Sequence, residues 1–186
     1  MVEILKIESA EKTRFIKPKI VHYLQDGIPK RWEVVETYDS VAVLLYHKTQ
    51  KAFVLVKQFR PAVYLKNHDG YTYELCAGLV DKQKPLAVIA KEEILEECGY
   101  DVPVSDIETV NTFFTAVGFA GGEQTLFYAE VDEKLKVSEG GGIDEESIEV
   151  VYLPVSEAKA FIYDQSKAKT PGLMFAFMWF FERHPV

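Results

Sequence analysis

The chain has 186 residues, 48% of them apolar, with a net charge of -8 and only two cysteines. That length and balance predict one domain with a substantial core, and the negative charge argues against broad attraction to nucleic acid or to an anionic membrane, so neither is expected as a partner. Cys76 and Cys98 have neither metal-ligand spacing nor the density of a secreted disulfide scaffold, so they are expected to be small core residues of a cytoplasmic protein.

In chain order, residues 2 to 8 (VEILKIE) and 14 to 24 (RFIKPKIVHYL) alternate as half-buried strands do, with Asp26 and Gly27 as a turn before RWEVVETY. The N-terminus lacks the apolar core and cleavage site of a signal peptide. Trp32, on the last of these strands, is either a core or interface aromatic or a stacking surface for a base. Residues 40 to 46 (SVAVLLY) and 52 to 58 (AFVLVKQ) predict a central hairpin buried on both faces. Arg60 follows, where a strand meets a loop; its planar fork suits phosphate, and a plain surface charge is the ordinary alternative. Residues 65 to 70 (LKNHDG) read as a polar loop, and YTYELCAGLV as a returning strand.

A helix is predicted over 85 to 98. Glu93, Glu96 and Glu97 there lie three and four residues apart and share one face. Such a face is either solvated charge or a place for a hard cation that takes oxygen ligands. Beyond it, residues 107 to 114 and 124 to 131 predict strands around a glycine-bearing loop, Gly118 to Gly122. Gly140 to Gly142 read as a mobile hinge leading into Asp144, Glu145 and Glu146, an acidic loop that is either surface charge or the source of a general base. A strand over 148 to 153, a helix begun near Ser156 and a last helix opened by Thr170-Pro171 complete the chain. The apolar run from Gly172 to Phe181 is too short to span a bilayer and predicts a buried C-terminal helix.

Gly78, a fifteen-residue step to Glu93, then Ile94, Glu96, Glu97, Gly99 and Tyr100 together resemble the Nudix box, which reads Gly, five residues, Glu, seven residues, Arg-Glu-aliphatic-any-Glu-Glu-any-Gly-aliphatic. Two positions depart from it by charge reversal. The first Glu is Lys84 and the Arg is Glu92. An ion pair of inverted polarity between them would preserve the bracing of loop to helix, with Lys91 as an alternative stand-in for the Arg. Outside the box, SVAVLLY, FVLVKQFRPAVY, YELCAGLVD, IEVVYLP and KTPGLMFAFMWF extend the resemblance across about residues 14 to 183, to the nucleoside-diphosphate-sugar pyrophosphatase branch of Nudix hydrolases.

The resemblance implies an α/β fold, a Nudix α/β/α sandwich with a mixed sheet over 39–186, preceded by an N-terminal β-strand arm over 1–38 that serves dimerisation and base binding within the same domain. It further implies Mg2+, with Mn2+ as a substitute, held by Glu93, Glu96, Glu97 and the carbonyl of Ala77. Glu146 is the implied general base, with Asp144 and Glu145 as rivals. Arg60 is expected to bind the diphosphate and Trp32 the base, in a homodimer. The implied reaction splits a nucleotide sugar, UDP-glucose first and ADP-ribose as the alternative, into a nucleoside monophosphate and a sugar 1-phosphate. The two altered box positions also permit a module that binds a nucleotide without hydrolysing it.

Overall fold

The computed structural model describes residues 2–8, 13, 16–143 and 146–184. Lys17–Gln25 (β1) and Ile28–Glu36 (β2) pair antiparallel as a separate two-stranded hairpin. Asp26 and Gly27 both take positive φ at its tip, as a two-residue turn that matches strand twist requires. Residues 2 to 8, expected as a strand, carry no strand pairing and are exposed. Alternation marks a segment that can half-bury, but among the described residues no backbone pairs with it to complete a ladder.

Ser40–His47 (β3) and Ala52–Phe59 (β4) form the centre of a seven-stranded mixed sheet. They pair with each other only at the hairpin end, Leu45 to His47 against Ala52 to Val54, and then diverge. Into that fork runs YTYELCAGLV, which is not one strand but two. Tyr71–Glu74 (β5) pairs with β4, and after Leu75 the chain changes partner, so that Cys76–Leu79 (β6) pairs with β3. Glu108–Thr115 (β7) and Gly122–Val131 (β8) extend the sheet beyond β3, with β8 parallel to β3, and Ile148–Pro154 (β9) covers the other edge of β4.

The period of two along β3 divides the core. Val41, Val43 and Leu45 face one side, with the helix Leu86–Cys98, whereas Ala42 and Leu44 face the other, with Val155–Tyr163 and Pro171–Arg183. Counting the short Pro61–Asn67 helix (α1), these are α2, α3 and α4. The result is the expected α/β/α sandwich. On the second face Phe53 stacks on Phe177 with centroids 4.4 Å apart and meets Phe180 edge-on at 4.8 Å, geometries that add to plain area burial. The C-terminal helix is buried through Leu173, Ala176, Phe177 and Phe180, as expected, and Cys76 and Cys98 are both free thiols in the other core.

Two loops differ from expectation. Residues 65 to 67 belong to α1, because Pro61 opens a helix that His68 ends in the left-handed region, leaving only the turn before β5. Gly140 to Gly142 is no hinge: Gly141 and Gly142 donate their N–H groups to the carbonyls of Glu97 and Glu96 at 2.9 and 3.1 Å, satisfying the open end of α2. A Cβ at Gly140 would overlap the Glu97 backbone, so only glycine allows this clasp.

Candidate active site

The fork between β3 and β4 opens onto a cavity of about 510 Å3 whose lining includes Arg60, Ala77, Glu93, Glu96, Glu97 and Glu146. Every expected site residue but Trp32 is therefore brought together, from four separate elements. Helix α2 supplies the three glutamates. It has no side-chain N-cap, starting instead on the Pro85 carbonyl, and it ends on Gly99 at φ 76. Gly99 could not be replaced cheaply, since its conformation is left-handed and a Cβ would overlap the Ser138 carbonyl.

Glu97 is the most enclosed of the carboxylates, at 4% exposure. Its Oε2 accepts the Ala77 N–H at 2.9 Å, which ties helix to strand β6. Burial pushes its pKa up to about 8 against the partial relief of that hydrogen bond. Burial and then the neighbouring Glu96 charge raise Glu93 to about 7. Glu93 fits only because Gly78 has no side chain: a Cβ at 78 would overlap its carboxyl. Glu146 reaches the cavity from the clasped glycine loop, its Oε2 accepting the Ile143 N–H at 3.3 Å. Asp144 and Glu145, its rivals as general base, lie outside the described residues.

Arg60 is no idle surface charge. Its Nε and a terminal nitrogen bind both oxygens of Glu74 at 2.8 and 2.7 Å, and Thr72 braces the same carboxylate. The fork geometry makes this possible, since Arg60 follows β4 and Glu74 ends the β5 segment that pairs with it. The Glu74 pair raises the Arg60 pKa still further, so a permanent cation is held at the cavity edge. Glu74 went unrecognised in the sequence. A lone carboxylate in the apolar run YTYELCAG signals a buried group that needs a cation, but not which cation.

The inverted box pair is formed: Lys84 Nζ lies 2.5 Å from Glu92 Oε1, with Lys82 Nζ 3.6 Å from Oε2. Lys91 takes no part, being turned to Asp101 at 2.9 Å. Trp32 stands apart from the carboxylates. It is 56% exposed on β2, and its Nε1 donates to the Gly118 carbonyl at 2.8 Å. Neither core reading nor contact with the cavity within one chain describes it.

Among the described residues, no three His, Cys, Asp or Glu side chains already close on a single point as a metal cage. The donor chemistry nonetheless fits a hard divalent cation. The cavity gathers carboxylate oxygens at Glu93, Glu96, Glu97 and Glu146, two of which are raised by crowding and burial and would ionise readily beside added positive charge.

No family model matches the chain. It is 37% identical to the uridine diphosphate glucose pyrophosphatase NUDT14 of Bos taurus, over 97% of this chain and 94% of that protein. The mouse protein of the same name is 36% identical over 91% of this chain and 89% of its own length. A GDP-mannose pyrophosphatase of Cronobacter sakazakii is 38% identical over 84% of this chain and 83% of that protein. With likeness of this extent joined to a box whose three glutamates face one cavity, the chain belongs to the Nudix hydrolases, in their nucleoside-diphosphate-sugar pyrophosphatase branch.

Proposed function

We propose that this protein hydrolyses the diphosphate bond of a nucleoside diphosphate sugar, UDP-glucose foremost, with Mg2+ or in its place Mn2+. The observation that carries the reading is the meeting of Glu93, Glu96, Glu97, Glu146 and Arg60 around one cavity. A divalent cation held by the three helix carboxylates and the Ala77 carbonyl would neutralise the diphosphate and ease ionisation of the attacking water. Glu93 and Glu97 give up their protons as substrate and cation enter. Arg60, oriented by Glu74, binds phosphate oxygens. Glu146 takes one proton from the water as its oxygen bonds to phosphorus; the bridging P–O bond breaks, and the leaving phosphate carries away the bridging oxygen. The products are a nucleoside monophosphate and a sugar 1-phosphate.

The experiment is a panel of UDP-glucose, GDP-mannose and ADP-ribose incubated with MgCl2 and a phosphatase that acts on the products but not on the intact substrates. Phosphate release led by UDP-glucose is expected. No release from any of them would leave only nucleotide binding.

A homodimer is part of the proposal. The β1–β2 hairpin exposes Ile20, Val21, Leu24, Ile28 and Trp32, and an isolated hairpin is marginal in water, so a second copy is the natural cover for it. Trp32 would then stack the base in the partner's site. Light scattering that gives a monomer would remove this arrangement. The working compartment is proposed to be the cytoplasm, a setting compatible with two free buried thiols. None of the described helices is long and apolar enough to cross a membrane.

A further inference from the structure

A second cavity, of about 370 Å3, lies against the carboxylate cavity and shares Glu74, Ala77 and Gln124 with it. Its other walls include Phe113 and Phe114 from β7 and Gly172 from the first turn of α4. The polar groups around it are largely engaged. Both Glu74 oxygens serve Arg60, the Thr170 hydroxyl caps α4 by accepting the Leu173 N–H, and the Thr115 hydroxyl donates to the Gly122 carbonyl. Gln124 differs. Its Nε2 donates to Ser40 Oγ at 3.2 Å, while its Oε1 is turned towards Gly172. A Cβ at residue 172 would sit 2.8 Å from that oxygen and 3.5 Å from the Phe113 ring. Gly172 thus leaves the Gln124 amide its place, although alanine is the better helix former.

We propose that this cavity is the hexose subsite of the nucleotide-sugar substrate, and that Gln124, with the room left by Gly172, determines which hexose is accepted. The assignment rests on the hydrolase reading above. In a nucleoside diphosphate sugar the hexose is bonded directly to a phosphate, whereas the base is separated from its phosphate by a ribose. The nucleoside's ribose is bonded to phosphate as well but must lead on to the base, for which Trp32 is proposed and which does not line this chamber, so the chamber is assigned to the hexose. The ring's C–H face suits Phe113, whose ring stands on the α4 side of β7 beside Gly172, and the Gln124 amide can both accept from and donate to neighbouring hydroxyls, which is what distinguishes epimers.

The test compares kcat/KM for UDP-glucose, UDP-galactose and GDP-glucose in wild type, Gly172→Ala and Gln124→Glu. The glucose-to-galactose ratio is expected to move by about tenfold or more in either variant, as one misplaced group in a pocket does, while the UDP-to-GDP ratio at constant sugar stays within about threefold. Gln124→Glu is isosteric and carries the test if the alanine variant fails to fold. A change confined to the UDP-to-GDP ratio, or no change in either ratio, overturns the assignment. Turnover of all three by wild type with unmoved ratios sinks only the subsite, whereas no wild-type turnover of any of them sinks the hydrolase reading with it.

Discussion

Glu97 should make the cation-free protein less stable as pH rises, and removing its charge should reverse that. Its unfolded carboxyl ionises near 4.5, and in the fold the value is about 8. Between those values the folded chain holds more protons than the unfolded chain, so stability falls as pH rises through the interval and levels off above it. The displacement is about three and a half units at about 1.4 kcal/mol each, which puts the penalty near pH 7.5 on the order of 4 kcal/mol. Gln is isosteric with the protonated acid and keeps an oxygen for the Ala77 N–H. In chelator, Glu97→Gln should therefore match wild type near pH 5 and melt higher by roughly 8 to 16 °C near pH 8, given about 2 to 4 °C per kcal/mol for a chain of this size. Millimolar MgCl2 should raise the wild-type Tm most at the alkaline end and the variant's much less. Thermal melts followed by circular dichroism across that range check both statements. Parallel wild-type and variant curves would mean that Glu97 is ionised without strain, and the account of a carboxylate waiting for a cation would be wrong.

The other expectations concern single contacts. Gly78→Ala should fold normally yet lower turnover, because its Cβ displaces the Glu93 carboxyl; wild-type kcat would show that Glu93 has other room. Lys84→Glu and Glu92→Arg should each reduce Tm and turnover, with the double variant recovering both, since it rebuilds the pair with the opposite polarity; singles that behave as wild type would mean that the pair braces nothing. Arg60→Ala should raise KM and also cost about 1 to 3 kcal/mol, because Glu74 is left buried without its partner. Adding Glu74→Gln should restore the stability but not KM, and a KM that never moved would leave Arg60 a purely structural partner. Glu146→Gln should cut kcat about a hundred- to ten-thousand-fold; a near-wild-type rate would transfer the base role to another group.

The carboxylate site was legible because helical spacing is a local property. Glu93, Glu96 and Glu97 share a face whatever surrounds them, and the glycines at 78 and 99 sit where a close approach and a left-handed cap demand them. The continuous burial of β3 was likewise readable from its unbroken apolar run as a strand covered on both faces. The Lys84–Glu92 contact could be anticipated from paired reversals of charge eight residues apart.

Other features depended on who neighbours whom. Residues 2 to 8 have a strand's alternation but no strand partner among the described residues, and YTYELCAGLV changes partner at Leu75 because β3 and β4 diverge there. Glu74 meets Arg60 only through that fork, and the Gly140 to Gly142 clasp exists only because the end of α2 lies beneath it. The depth of burial that sets the protonation of Glu97 likewise comes from its neighbours and not from its spacing. The sequence by itself determined which groups could bind a cation and which helix face carries them, since periodicity and charge are written residue by residue. Only the tertiary structure decided how deeply each is buried, which cation orients in which carboxylate's grip, and that a second chamber opens beside the first, because burial and long-range pairing are properties of the packed chain.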